Sequence, residues 1–169
     1  MAMGDDRSGA PVWDDSAVTR AEAAAFFARV IGSDSRYISH GEVQCGLSED
    51  GKSWVGDLDA RFAEDMAEDD PERDLLVMRD EAGLIVAAAI AYWVASPRVR
   101  YGIIEDMAVD PAQRSAGLGS IMVAEIEQRA RDRQCRWLFL ESGKDNERAH
   151  GFFESSGFAM LSHTFSKKL

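Results

Sequence analysis

Between Ile103 and Ile126 the chain sets a carboxylate pair, an arginine and two glycines in an order that could bind an anion and move a proton. Glu105-Asp106 lies in an apolar run. Asp110-Pro111 makes a turn, Arg114-Ser115-Ala116-Gly117-Leu118-Gly119-Ser120 forms a small-residue loop, and an amphipathic helix follows with Leu118, Ile121, Met122, Ile126 and Ala130 on one face. The first N–H groups of a helix lack intrahelical partners and sit at the positive end of its dipole, so they donate to phosphate oxygens. Glycine at positions 117 and 119 removes side chains that would hold a phosphate away. Arg114 adds a planar fork able to take a phosphate through two hydrogen bonds. Glu105, beside Ile103, Ile104 and Met107, is a carboxylate in apolar company, where its pKa would rise toward a range useful for accepting a proton. A surface Glu105 paired with Arg98 or Arg100 is the structural alternative. Strand alternation puts Glu105 on the face of Met107 and Val109, with Asp106 opposite, unless a bulge resets the parity.

Other phosphate loops do not fit. The spacing Arg-x-x-Gly-x-Gly is not the Gly-x-Gly-x-x-Gly of a dinucleotide fold, and Arg114 to Ser120 holds no Gly-Lys-Ser/Thr of a Walker loop; the Gly-Lys-Ser at Gly51-Lys52-Ser53 follows a segment that reads as a loop, where a Walker loop needs a strand. His40, His150 and His163 have no metal-ligand spacing, and Cys45 and Cys135 form no close pair, so no metal is expected. A formal charge of −11 argues against nucleic acid as the main partner. The longest apolar run, Leu84 to Val94, is too short to span a membrane. The polar start, residues 1–10, reads as a frayed tail without the blocks of a secretory signal, which points to a cytoplasmic protein. The chain of 169 residues suits one domain over 11–169.

The elements that must position this machinery follow in order. Thr19-Arg20-Ala21-Glu22 is a capping-box pattern that predicts a first helix ending at Gly32, and Arg36 to Cys45 reads as a loop. Ser53 is a candidate cap for a second helix with Trp54, Leu58, Phe62 and Met66 on one stripe. Leu75 to Arg79, Leu84 to Ala95 and Val99 to Val109 predict a three-strand meander, its middle strand covered on both faces. After the loop-borne helix come a strand at Arg136 to Leu140 and a short helix at Asn146 to Ser156. A closing pair of strands is expected at Phe158 to Leu161 and Ser162 to Lys168. The fold class is therefore α/β (α+β mixed): a mixed, mostly antiparallel sheet of six to seven strands, helices on both faces, and a parallel strand-helix-strand unit.

Glu105 to Pro111 followed by Arg114-Ser115-Ala116-Gly117-Leu118-Gly119 resembles the acetyl-coenzyme A motif Gln/Arg-x-x-Gly-x-Gly/Ala of the GNAT superfamily of N-acetyltransferases. Asn146 to Phe158 resembles its second motif, Asn-x-x-Ala-x-x-Phe-Tyr-x-x-x-Gly-Phe, and the resemblance runs from about Leu75 to Phe158. It implies that Arg114, Ser115, Ala116, Gly117, Leu118, Gly119 and Ser120 bind the diphosphate of acetyl-coenzyme A. It implies that the backbone of Met107, Ala108 and Val109 pairs with the pantetheine arm as an added strand does, and that Asn146, Phe152 and Phe153 border the same arm. Asn146 would also cap its own helix. The spermidine/spermine acetyltransferases, which this strand also resembles, assign the equivalent of Glu105 as base.

The acceptor pocket of the family falls where Tyr37, His40, Glu42 and Trp54 stand here, and Glu42 could hold a cationic amine. The implied reaction is direct acetyl transfer to a primary amine of a small molecule or peptide, without nucleic acid or membrane, and the family often forms homodimers. One departure is Phe153, where the family has a Tyr that protonates the leaving thiolate. The thiolate then leaves unaided, or Tyr92, His150 or water serves. That departure also motivates a rival reading, a non-catalytic acyl-coenzyme A binding module.

Overall fold

A computed structural model describes residues 9–169. Of the expected N-terminal tail, residues 1–8 lie outside the described part, and the Gly9 amide donates to the Arg79 carbonyl oxygen at 3.0 Å. Five strands form one sheet in the order β1 (Val12–Trp13), β2 (Arg73–Arg79), β3 (Ile85–Ala95), β4 (Arg100–Val109) and β5 (Trp137–Leu140). All neighbouring pairs are antiparallel except β4 with β5, which are parallel. The helix joining that parallel pair is α4 (Leu118–Asp132), as a crossover requires.

Helix α1 (Ala17–Ile31) begins earlier than the capping-box pattern predicts, because Ser16 is the cap and its Oγ accepts from the Thr19 amide at 3.3 Å. Thr19 instead donates its hydroxyl to Asp14 at 2.6 Å. The segment read as a loop contains a 3-10 turn (Ser35–Tyr37) and a short helix α2 (His40–Gln44), whose capping box is made by Ser39 and Glu42. Helix α3 (Leu58–Ala67) starts after Asp57 and not at Ser53. The Asp50 carboxylate accepts the amides of Lys52 and Ser53 at 2.8 Å each, a side-chain-closed turn that takes Ser53 out of any capping role. Trp54 therefore precedes α3. Helix α5 (Glu147–Ser155) begins at its expected cap, Asn146.

Two cores flank the sheet. One joins Phe26, Phe27, Val30 and Ile31 of α1 and Phe62 and Met66 of α3 to Leu75, Val77, Ala88, Ile90 and Ala108. The other joins Met122, Ile126 and Ala130 of α4 to Leu76, Met78, Ala87, Ala89, Trp93 and Ile104. Alternate residues of β3 enter opposite cores, which is why that strand reads as unbroken apolar sequence.

The two closing strands expected from Phe158 onward do not form, so the sheet has five strands and not six or seven. The apolar Met160, Leu161 and Phe165 are exposed, Phe165 at 92%. A strand needs a neighbour as well as a pattern, and this segment pairs with none among the described residues. No helix of the described residues is long and apolar enough to cross a membrane.

On the α4 side, the buried Asp74 of β2 gathers three donors on one carboxylate oxygen: Trp93 Nε1 at 2.8 Å, Arg129 Nε at 3.0 Å and Arg133 Nη2 at 2.9 Å. This ties β2, β3 and α4 together. Asp74→Ala would strand two partly buried guanidinium groups and an indole N–H. It should lower unfolding stability by about 2–4 kcal/mol, read as a lower urea midpoint; an unchanged midpoint would show that the cluster contributes nothing.

Candidate functional site

Strand β5 pairs with β4 only from Tyr101↔Trp137 to Ile104↔Leu140. It then ends, while β4 continues to Val109. From Glu105 onward the β5-facing edge of β4 has no strand beside it. A cavity of about 460 Å³ fills this gap, lined by β4 from Ile104 to Val109, the loop and first turn of α4, the loop after β5, and α5.

The loop into α4 supplies donors. Gly117 is the N-cap of α4 at φ +79°, a conformation that suits glycine, and no side chain caps the helix. The first amide with a partner inside the helix is that of Ile121, to the Gly117 carbonyl at 3.2 Å. The amides of Leu118, Gly119 and Ser120 therefore remain as donors at a helix start, and all three residues line the cavity. Ser115, also lining, holds a positive φ of 74°, uncommon for a residue with a side chain. Gly119 has a second reason to lack a side chain: a Cβ there would come within 3.0 Å of the Phe152 ring of α5. Phe152 thus closes against the first turn of α4.

At the other end the cavity is acidic. The register of β3 on β4 shifts between Ile90↔Asp106 and Ala91↔Ile104, leaving Glu105 as the extra residue of a β-bulge. The bulge resets parity, so Ile104 shares the α4-side core with Met107 while Ala108, two residues beyond Asp106, enters the other core. Both carboxylates consequently line the cavity, joined by Glu42 from α2. Arg73 of β2 donates through Nε to Glu105 at 2.8 Å and through Nη2 to Asp65 of α3 at 2.5 Å. Glu105 therefore has an ion-pair partner on β2, not Arg98 or Arg100. Burial raises the Glu105 pKa above the ordinary carboxylate value, and the Arg73 charge opposes the rise. The Asp106 pKa is raised from 3.8 to about 7, first by burial and then by the charges of Glu42 and Glu105.

Of the other residues expected at a site, Met107, Ala108, Val109, Arg114, Asn146, Phe153, Tyr37 and Glu42 line the same cavity. Ala116, His40 and Trp54 do not. Ala116 turns back on the loop, its amide donating to the Gln113 carbonyl at 3.4 Å. His40 Nδ1 meets the Glu141 carboxylate at 3.1 Å, which also accepts Ser39 Oγ at 3.1 Å, so His40 tethers α2 to the loop after β5. Trp54 packs against the α1–α3 core. His150 contacts the Gly143 carbonyl through Nε2 at 3.0 Å, and Tyr92 pairs within the sheet opposite Arg73 and Ile103, so neither faces the cavity. Asp106 was not expected as a site residue, and the signal that could have found it is the bulge, which sequence alternation does not reveal. Ser142 also lines the cavity, with a buried Oγ that has no hydrogen-bond partner among the described residues. Among the described residues no group of three or more His, Cys, Asp or Glu side chains is arranged to hold a metal ion.

The sequence model of the Acetyltransferase (GNAT) family matches residues 43–158. The chain belongs to that family. A 57-residue stretch of this GNAT chain is 37% identical to a glucosamine 6-phosphate N-acetyltransferase of Trypanosoma brucei brucei, spanning 34% of this chain and 37% of that protein. The fold is similar to that of the BH1408 protein of Bacillus halodurans, with a TM-score of 0.69 at 21% identity over 94% of this chain and 99% of the other. It is also similar to a ribosomal-protein-alanine N-acetyltransferase of Brucella melitensis biovar Abortus 2308, with a TM-score of 0.66 at 15% identity over 94% and 98%. An aminoglycoside 6'-N-acetyltransferase of Acinetobacter baumannii gives 0.65 at 14% over 94% and 96%. At these identities the structural likenesses establish the fold.

The raised Asp106 pKa has a stability consequence for this GNAT domain. The unfolded chain ionises Asp106 near 3.8 while the folded protein holds the proton to about 7, so its contribution is full below the lower value and is lost as pH rises through the upper one. Asp106→Asn should therefore gain about 1–3 kcal/mol over the wild type on going from pH 4 to pH 8, measured by urea unfolding. A difference that does not vary with pH would contradict the environment assigned to Asp106.

Proposed function

We propose that this chain is an N-acetyltransferase that moves the acetyl group of acetyl-coenzyme A to a primary amine by direct attack, with both substrates bound together. The observation that carries the reading is one continuous cavity running from the uncapped start of α4, along the free edge of β4, to the Glu105–Asp106 carboxylates. Family membership supports the reaction class. The partial match to a glucosamine 6-phosphate N-acetyltransferase supports an amine as the acceptor.

In this reading the amides of Leu118, Gly119 and Ser120, with Arg114, hold the diphosphate. Backbone groups of Met107, Ala108 and Val109 pair with the pantetheine arm along the open edge and polarise the thioester carbonyl. Asn146 keeps its helix capped through Oδ1, which accepts the Ala149 amide at 3.4 Å, leaving its amide N–H groups for the arm. Phe152 and Phe153 wall the channel against water. Glu105 removes the ammonium proton of the acceptor, directly or through water, so that the nitrogen lone pair can attack. Arg73 keeps the Glu105 carboxylate aimed into the cavity. No enzyme nucleophile is required, since proximity within the ternary complex supplies the advantage. Phe153 cannot donate to the departing sulfur, and the hydroxyl-bearing residues that line the cavity are Ser142, Tyr37, Ser115 and Ser120.

Phe153 also favours the second reading, an acyl-coenzyme A binding module without turnover. A thiol-release assay with acetyl-coenzyme A and a panel of amines separates the two: release with at least one amine supports the enzyme, whereas tight cofactor binding with no release supports the module. Arg114→Ala should weaken coenzyme A binding by about 1.5–3 kcal/mol in a calorimetric titration, and an unchanged affinity would remove Arg114 from the phosphate site. Glu105→Gln should lower kcat about 10²-fold with the affinity for coenzyme A retained. A variant as fast as the wild type across the pH range would remove Glu105 from the proton transfer.

A further inference from the structure

We propose that the hydroxyl of Ser142 donates a hydrogen bond to the sulfur of coenzyme A as the thiolate departs. This deepens the acetyltransferase reading of the cavity and rests on it.

Ser142 lines the cavity, and its Oγ is buried with no hydrogen-bond partner among the described residues. Buried polar groups are nearly always paired, so a hydroxyl that the protein leaves unpaired beside a binding cavity points to a partner on the guest. The register says which part of the guest. Leu140 pairs with Ile104 in the parallel β4–β5 ladder, so Ser142, two residues on, stands across the parting from Asp106 and Met107. The acetyltransferase reading puts the thioester there, between the Met107 backbone and the Glu105 carboxylate. The chain on either side of Ser142 is held. Glu141 accepts Ser39 Oγ at 3.1 Å and meets His40 Nδ1 at 3.1 Å. Gly143 lies so close to the Arg36 and Ile38 carbonyls that a Cβ would collide with both, and its own carbonyl accepts the Asn146 amide at 2.9 Å. The Ser142 hydroxyl needs only a turn about χ1 to reach the cavity from this fixed loop, and a donor held in that way costs little reorganisation when charge develops.

The other hydroxyls stand elsewhere along the cavity. Ser115 and Ser120 belong to the loop and first turn of α4, at the diphosphate end. Tyr37 packs against the α1–α3 core and lines the end that Glu42 shares. The Phe153 ring, edge-on to Phe152 and Phe158 at 5.1 and 5.7 Å, offers sulfur no donor. In the step itself the nitrogen lone pair forms the C–N bond, and the C–S bond then breaks with its electron pair on sulfur. An ammonium acceptor sheds two protons in becoming an amide, one through Glu105 and one to water, and coenzyme A departs as a thiolate. Ser142 keeps its own proton throughout. Its hydrogen bond favours the charged form of the sulfur and so lowers the pKa of the bound thiol.

The test is the thiol pKa of coenzyme A bound to the protein, read from the ultraviolet absorbance of the thiolate over a pH titration, with desulfo-coenzyme A as the blank. Ser142→Ala should raise the bound thiol pKa by about one unit or more, and Ser142→Thr, which keeps a hydroxyl, should restore it. Tyr37→Phe should leave it unchanged. Thiol release with the amine panel should slow about tenfold in Ser142→Ala and not in Ser142→Thr. Without ligand, the urea midpoint of Ser142→Ala should equal or exceed that of the wild type, because the hydroxyl removed has no partner in the free protein. A lower midpoint, an unshifted thiol pKa, or a shift in Tyr37→Phe in its place would overturn the proposal. Failure of the acetyltransferase reading looks different: either coenzyme A does not bind, which removes both, or it binds with a thiol pKa that depends on Ser142 while no amine releases thiol, which leaves the hydrogen bond and removes the turnover.

Discussion

Backbone hydrogen bonding along β4 is the constraint on which the site depends. A strand inside a fold must find partners for its N–H and C=O groups, and β4 finds them on its β3 side along its length except at the Glu105 bulge, but on its β5 side only as far as Ile104. Because β5 stops at Leu140, the edge from Glu105 to Val109 has no strand beside it. The start of α4 also stands at the mouth of the gap, the chain leaving Val109 passing through a 3-10 turn (Pro111–Gln113) and the loop Arg114 to Gly117 before the helix begins at Leu118. Anion donors, a pairing edge and a carboxylate end thus meet at one departure from sheet regularity.

The bulge at Glu105 is the second departure, and it works with the first. Without it, Glu105 and Asp106 would point to opposite sides of the sheet. With it, both reach the cavity, and Arg73 on the neighbouring part of β2 steadies one of them while the other stays unpaired. The cost is concentrated charge. Burial and mutual repulsion keep Asp106 protonated to about pH 7, whereas in the Asp74–Arg129–Arg133 cluster on the far side of the sheet two cations meet one acid.

The meander, the crossover helix, the glycine loop before it and the cap of α5 were legible in the sequence because each rests on local information: apolar period, a Pro turn, paired glycines and a capping Asn. Glu105, Arg114, Asn146 and Glu42, expected at a site from their residue types and the family resemblance, all line the cavity. What the sequence hid depends on contacts between distant segments. Alternation on β4 cannot reveal a register shift that exists only against β3, so Asp106 went unseen. His40 looks like a pocket residue until Glu141, a hundred residues away in the chain, is seen to meet its Nδ1 at 3.1 Å. The apolar and aromatic residues after Phe158 suggest strands, yet pairing requires an edge that this segment does not join. At Gly119 the sequence suggests room for a phosphate, and the structure adds the Phe152 ring as an equal reason.

The central claim is that a nucleotide-linked pantetheine lies in the parting of β4 from β5, with its diphosphate on the first turn of α4. Amide hydrogen exchange with and without coenzyme A tests it most directly. The claim predicts strong protection of amides in Met107–Val109 and Gly117–Ser120 on adding coenzyme A, with little change in β1 or the far half of α3. Protection confined to other segments, with these two stretches exchanging as fast as in the free protein, would contradict it.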